Sequence, residues 1–411
     1  MKNTKLPTAS KLTVLRQVCN HIPAHLVPQL ARDTGVDKQF RTFSPWSHVV
    51  SLCYGQLAHS IGLNDVCDAL QLNSGPLSGL RGATPPTRNN LSHANKIRDA
   101  AMGEQLFWAV FKHLGELSPN FVSGKAGKRF ARRFTRTIHL VDSTTIQLIA
   151  NCMDWAKHRR RKAAAKCHLR LDLQSFLPRF ALVTKAGDAD AKRAREVCAG
   201  VQAGEIVIFD KAYLDYGHLM DLERRKVIWV TRAKENLQFE VLEQLPVPQG
   251  GKIVSDEWVG VKNAASQKAY PELLRRVTAW VEVDGKERLM VFLTNQLTWS
   301  PESIAELYRC RWQIEVFFKQ IKQTLQLSDF LGNSANAVKW QLWTALLVYL
   351  LLRYLAFLST WAHSFSRLFA VIRTCMWRKF DLLGLLERYG TAKGSYRYLG
   401  RPEQAFFPGF V

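Results

Sequence analysis

Apolar positions change period along this chain, and the changes mark its elements. Up to about residue 120 they recur at helical spacing. Asn64 to Leu70 carries a helical pattern, Ser74 to Pro86 is a turn region rich in glycine, serine and proline, and a second helix opens near Thr87. From Thr137 short runs with strand character take over: Thr137 to Asp142, His168 to Leu173 and Phe180 to Thr184. A helix rich in alanine and charge, Asp188 to Cys198, leads into a fourth run, Glu205 to Asp210. A charged helix around His218 to Arg225 precedes a fifth, Val227 to Thr231. Three strands, helix, strand, helix, strand is the order of a mixed sheet flanked by helices, so an α/β core is expected.

The rhythm breaks at about residue 235. Pro246, Pro248, Gly250 and Gly251 interrupt the chain, and two alternating runs follow around Arg276 to Val283 and Arg288 to Thr294. Asp284 and Gly285 between those runs are a hairpin signal. A small, mainly β insertion is expected there. Ser300, Pro301 and Glu302 then open a long helix with a capping serine, a proline at the first position and an acid behind it. The rest, to about residue 390, reads as helical. The divisions expected are 1–122, a helical N-terminal domain; 123–136, a connector; 137–234, the first part of the α/β core; 235–299, the β insertion; 300–335, a helix completing the core; and 336–411, C-terminal helices.

Charge sharpens this picture. The 411 residues hold 57 lysines and arginines against 34 acids, a net charge of +23, which draws a polyanion and makes nucleic acid the leading partner. The polar helix after Thr87 offers Arg88, Asn89, Asn90, Lys96 and Arg98, and a helix, turn and basic helix is what a helix-turn-helix DNA reader needs. Polar-faced helical hairpins without that role are also common. The connector holds Lys125, Lys128, Arg129, Arg132, Arg133 and Arg136 with no acid. Lys157 to Lys166 contributes six more cations, including Arg159, Arg160, Arg161 and Lys166, as a DNA clamp or a solvated loop. The eight cysteines lack metal-type spacing and read as reduced thiols. His168, with no partner at ligand spacing, reads as an ordinary strand histidine. The N-terminus lacks the apolar stretch of a signal peptide, and the apolar segment Leu342 to Leu352 is too short for a bilayer, so it reads as a buried core helix and no membrane is expected.

The chemistry concentrates on three acids. Asp142 and Asp210 close apolar runs, and a carboxylate at the end of a buried strand is held at the sheet rim with little freedom, which suits a metal ligand; such an aspartate is also a common turn initiator. Tyr308, Arg311, Glu315 and Lys322 are separated by 3, 4 and 7 residues. At about 100° per residue they fall within roughly 60° of one another on a helix, with Lys319 at the margin. Leu307, Ile314, Phe318, Ile321 and Leu325 form a neighbouring stripe able to pack on the sheet. The alternative is a solvated face with ordinary ion pairs such as Arg311 with Glu315.

Asp142-Ser143-Thr144, Asp210-Lys211-Ala212-Tyr213 and the Y-x2-R-x3-E-x6-K pattern on Tyr308, Arg311, Glu315 and Lys322 resemble the DDE transposases of bacterial insertion sequences, of the insertion-sequence-4 family. The resemblance spans roughly Thr137 to Lys322, with Ala212 where glycine is frequent. It implies a ribonuclease-H-like mixed-sheet catalytic core. Asp142, Asp210 and Glu315 would be catalytic and would hold two Mg²⁺ ions about 3.5 to 4 Å apart, with Mn²⁺ able to substitute. Tyr308, Arg311, Lys319 and Lys322 would contact DNA near the scissile bond, and residues 1–122 would bind DNA. The implied partners are double-stranded DNA, as terminal inverted repeats and target, and a second copy of the chain in the synaptic complex. The implied setting is the bacterial cytoplasm, at the nucleoid. The implied events are nicking, hairpin formation, hairpin opening and joining to target. In some relatives a flipped base stacks on a tryptophan; Trp280 and Trp299 are candidates by location, although with 12 tryptophans core packing is the commoner use. Another ribonuclease-H-like nuclease or resolvase, or a catalytically silent DNA-binding descendant, stays open as an alternative.

Overall fold

A computed structural model describes residues 8–39, 42–124, 134–148, 163–185, 187–247, 250–283, 286–325, 331–332 and 334–390. These fall into two compact units. One draws on Met1–Ala126, Ile146–Ala165 and Phe318–Ala405, the other on Gly127–Thr145 and Lys166–Phe317.

The first unit is built on helices. Its central element is the 24-residue helix Ala335–Leu358, long and apolar enough to cross a membrane by length and composition. It continues past Arg353, beyond the end expected from the apolar run. Most of its side chains are buried, and it packs on the helices Ala101–Leu117, Pro45–Ala58 and Arg88–Ile97. That is the behaviour of a core helix. Gly103 permits the close approach: a Cβ there would meet the Trp340 ring at 3.0 Å. The helix Arg88–Ile97 starts where the sequence indicates, with Thr87 accepting from the Asn90 N–H. The helix Leu63–Leu72 precedes it, and the expected turn region contains a short helix, Ser74–Ser78.

The second unit carries the sheet. Its strands are β1 (Ile138–Leu148), β2 (Ala163–Asp172), β3 (Pro178–Lys185), β4 (Ile206–Phe209), β5 (Ile228–Arg232), β6 (Phe239–Gln244), β7 (Ile253–Val261), β8 (Leu274–Val283) and β9 (Lys286–Thr294). Among the described residues they form one sheet in the order β3-β2-β1-β4-β5-β9-β8-β7-β6. β4 lies parallel to β1 and to β5. All four of its residues, Ile206 to Phe209, are buried, as a short apolar run covered on both faces requires. The helices Asp190–Cys198 and Tyr216–Arg224 supply part of the cover, with Val197, Leu219 and Leu222 joining Phe209 and Trp229 in the core.

The β insertion continues this sheet instead of standing apart from it. β9 returns antiparallel to β5, pairing Val230 with Thr294, and so closes what would be an open edge. The β8–β9 ladder runs up to Val283 opposite Lys286, consistent with a hairpin there, while Asp284 and Gly285 themselves lie outside the described residues.

The helix opening at Ser300 has the expected start, with Ser300 accepting from the Ser303 N–H and Pro301 in the first turn. It is not one long helix. It ends at Arg309, a second helix spans Trp312–Lys319, and a π-helical turn follows at Gln320–Thr324. Between the two helices the N–H groups of Cys310, Arg311, Gln313 and Ile314 bond three residues back, a tighter winding than the α-helix. The single polar stripe from Tyr308 to Lys322 inferred from constant helical spacing is therefore broken twice.

Candidate active site

Parallel register sets the first two acids side by side. Val141 on β1 is the Cα partner of Phe209 on β4, so Asp142 and Asp210 each follow this pair, Asp142 within β1 and Asp210 just past the end of β4. Asp210 ends its strand as the sequence suggests and caps the short 3-10 helix Lys211–Tyr213, accepting from the Ala212 N–H at 3.1 Å. Asp142 does not end β1, which runs on to Leu148; it stands where pairing with β4 stops. Its Oδ1 accepts from the Ser143 N–H at 2.8 Å.

Arg311 brings in the third acid. Its Nη1 donates to Asp142 Oδ2 at 3.0 Å and its Nη2 to Glu315 Oε1 at 2.6 Å, so one planar guanidinium spans both carboxylates. Burial pushes the Asp142 carboxyl up to about 6; Arg311 and the Ser143 N–H pull it back, while the charges of Asp210 and Glu315 push it further up. Asp142 thus feels both other acids from a poorly solvated place. Burial alone would lower the Arg311 pKa, but Tyr308, Asp142 and Glu315 raise it above its ordinary value.

Tyr308 is nearly buried, with its ring 5.0 Å from that of Phe292 on β9 and 5.9 Å from the Arg311 guanidinium carbon. Burial pushes its phenol up to about 12.

Among the described residues no three His, Cys, Asp or Glu side chains are close enough to hold a metal ion as they stand, the Arg311 fork lying between Asp142 and Glu315. The donor set still fits a divalent cation. Carboxylates are hard oxygen donors, a single arginine joins two of these three, and burial first, then the charges of Asp210 and Glu315, pushes the Asp142 carboxyl up. An open groove lined by Asp210, Lys211, Ala212, Lys234, Glu235 and Asn236 adjoins this rim.

The other expected contacts separate. Arg88 and Lys96 are exposed on their helix. Arg98 is corrected: it is 2% exposed, donates to the Phe43 and Ser44 carbonyls, and lies over the Phe43 ring, so it holds the helical core and is closed to DNA. Its apparent membership of the polar helix face failed because the helix stops at Ile97 and Arg98 turns inward. Lys319 is exposed at the end of its helix and Lys322 is half-buried in the π turn. Trp280 is 44% exposed on β8, opposite Leu289, whereas Trp299 packs on Phe134 with ring centroids 5.5 Å apart. Arg136 donates to the Gly204 carbonyl. Arg159, Arg160 and Arg161, with Lys125, Lys128, Arg129, Arg132 and Arg133, lie outside the described residues.

Lys166 is mostly buried, and its ammonium donates to Asp190 Oδ2 at 2.9 Å and to the Asp188 carbonyl. The sequence does not mark Asp190, because an acid at a helix start looks like any dipole-favoured first-turn carboxylate. Its Oδ1 accepts from Ser143 Oγ at 2.7 Å, next to Asp142.

The residues from 133 to 351 match the family described as the transposase DDE domain. The chain belongs to the DDE transposase family. Residues 10–80 match a second family, described as a domain of unknown function. A protein of Sinorhizobium fredii named as a transposase is 31% identical to this family member over 76% of this chain and 83% of its own length. The transposase of insertion sequence element IS4 of Escherichia coli is 28% identical over 45% of this chain and 42% of its own. A piggyBac transposase in a synaptic complex with hairpin DNA superposes with a TM-score of 0.45 at 9% identity, covering 95% of this chain and 85% of that one.

Proposed function

We propose that this family member cuts DNA at the ends of its own insertion sequence and joins the freed 3′-hydroxyls to target DNA, with Asp142, Asp210 and Glu315 as the catalytic triad of a ribonuclease-H-like core of the insertion-sequence-4 type. The observation that carries the proposal is the register of β1 on β4, which aligns Asp142 with Asp210, together with the Arg311 fork that ties Asp142 to Glu315. Three carboxylates from remote segments meeting at a sheet rim suit phosphodiester chemistry, in which negative charge builds on the attacking and leaving oxygens.

The three acids would hold two Mg²⁺ or Mn²⁺ ions, which when bound activate the attacking water or 3′-hydroxyl and steady the leaving oxygen. The protein's own share is positioning and charge. Asp210 is fixed by its cap on Ala212, and Asp142 by the Ser143 N–H. Arg311, once released from one carboxylate, faces the same rim and meets a phosphate there, steadied by the Tyr308 ring. Lys319 and Lys322 extend the phosphate contacts, and Arg88 and Lys96 serve recognition of the terminal repeats. Joining two ends requires two protomers, so the working assembly is a homodimer on DNA in the bacterial cytoplasm. A hairpin step fits Trp280 better than Trp299, since only the former presents an exposed indole.

The test is cleavage of end-bearing DNA in Mg²⁺ by Asp142→Asn, Asp210→Asn and Glu315→Gln. Each variant is expected to lose about a thousandfold or more in rate while binding DNA like the parent, because each loses a ligand and none loses a cation. Parental cutting by any one of them removes that residue from the triad.

A further inference from the structure

Behind the rim, a chain of polar side chains links the residue after Asp142 to the turn after Asp210. Ser143 Oγ donates to Asp190 Oδ1 at 2.7 Å, and Lys166 Nζ holds the other oxygen of that carboxylate at 2.9 Å. His168, two residues along β2 from Lys166 and fully buried, places Nδ1 3.4 Å from Asp190 Oδ1 and 3.0 Å from the Tyr213 hydroxyl. Its Nε2 lies 3.1 Å from Thr184 Oγ1 on β3. Tyr213 is buried to 1% exposure, its hydroxyl also bonds Ser143, and its N–H bonds the Asp210 carbonyl at 3.0 Å. Every one of these groups lies within the sheet unit.

We propose that Asp190 is a positioning residue for the two aspartates, setting the spacing of Asp142 and Asp210 through Ser143 on one side and His168 with Tyr213 on the other. The inference rests on the triad reading above. A network anchored on β2, β3 and a helix N-terminus restrains both the Asp142 stretch of β1 and the turn after Asp210, as outer partners orient metal ligands elsewhere. Lys166 holds the second Asp190 oxygen at 2.9 Å, which leaves the first free to accept from Ser143.

The experiment measures Mn²⁺ affinity of the DNA-free full chain by electron paramagnetic resonance, with end cleavage measured alongside, for Asp190→Asn, Ser143→Ala, Ser143→Thr and Asp142→Asn. Asp190→Asn and Ser143→Ala are expected to weaken Mn²⁺ binding by about 10- to 100-fold and to slow cleavage in parallel with unchanged DNA affinity. Ser143→Thr, which keeps the hydroxyl, is expected to restore both. Should Asp190→Asn fail to fold, Ser143→Ala decides alone, since Ser143 is only half-buried. Parental Mn²⁺ affinity and cleavage in Ser143→Ala overturns the proposal. If Asp142→Asn also leaves Mn²⁺ binding untouched, the triad reading has failed; if Asp142→Asn abolishes it while Ser143→Ala does not, only the positioning role has.

Discussion

A single guanidinium between two carboxylates makes Arg311 the residue on which the rim depends before any cation arrives. Arg311→Ala leaves Asp142 and Glu315 facing each other unpaired, with Asp210 adding to the repulsion. The metal-free protein is expected to lose roughly 1 to 3 kcal/mol, less than a fully buried pair because Glu315 is partly solvated. Mn²⁺ should then stabilise the variant more than the parent, because the cation replaces the missing charge. Melting curves with and without Mn²⁺ check this, and equal stabilisation of the two proteins would count against it. Buried imidazoles give a second expectation. Burial, before any neighbouring charge, lowers His48 to about 3 and His168 and His218 to about 4. The unfolded chain takes up these protons near pH 6.5 while the folded chain does not, so their contribution is complete above that pH and is lost as pH falls toward 4. Urea midpoints should drop between pH 7.5 and pH 5, with each histidine costing about 2 kcal/mol over that window. Equal midpoints would mean that these rings are protonated in the fold.

Elements divide by how much of their environment the local sequence encodes. The runs that became β4 and β5 are legible because they are apolar and buried on both faces, and the helix starts at Thr87 and Ser300 because their caps are local. β6 left no signal: beyond Phe239 its residues are exposed, so nothing selected an alternating pattern. The break at Cys310 and Arg311 was hidden for a different reason. Helical spacing assumes constant winding, whereas the backbone tightens where Arg311 reaches two acids and widens again at Gln320. Arg98 misled because a guanidinium that caps buried carbonyls looks identical, in sequence, to one that meets phosphate. The insertion also contains a buried ion-paired joint. Arg275 on β8 pairs with Asp256 on β7 through two bonds of 2.8 and 2.6 Å, both side chains nearly buried, and donates to the carbonyls of Leu297 and Trp299 just before the helix at Pro301. Asp256→Ala is expected to cost about 3 to 5 kcal/mol by stranding that charge. Denaturant unfolding measures it, and a loss below about 1 kcal/mol would show that the joint is not held by the pair.

At the scale of the molecule, the family could be read from three short motifs, and the +23 charge pointed to a polyanion before any fold was known. The network through Asp190 could not be read this way, since it joins five segments whose residues carry no shared spacing. What remains decisive is whether a divalent cation binds where Asp142, Asp210 and Glu315 converge. Fe²⁺ loaded onto the full chain with its element ends, then treated with ascorbate and peroxide, breaks the backbone next to the bound ion. The account expects scission near residues 142, 210 and 315, suppressed by excess Mg²⁺ and absent in Asp142→Asn. Cuts confined to other segments, or cuts indifferent to Mg²⁺, would contradict it.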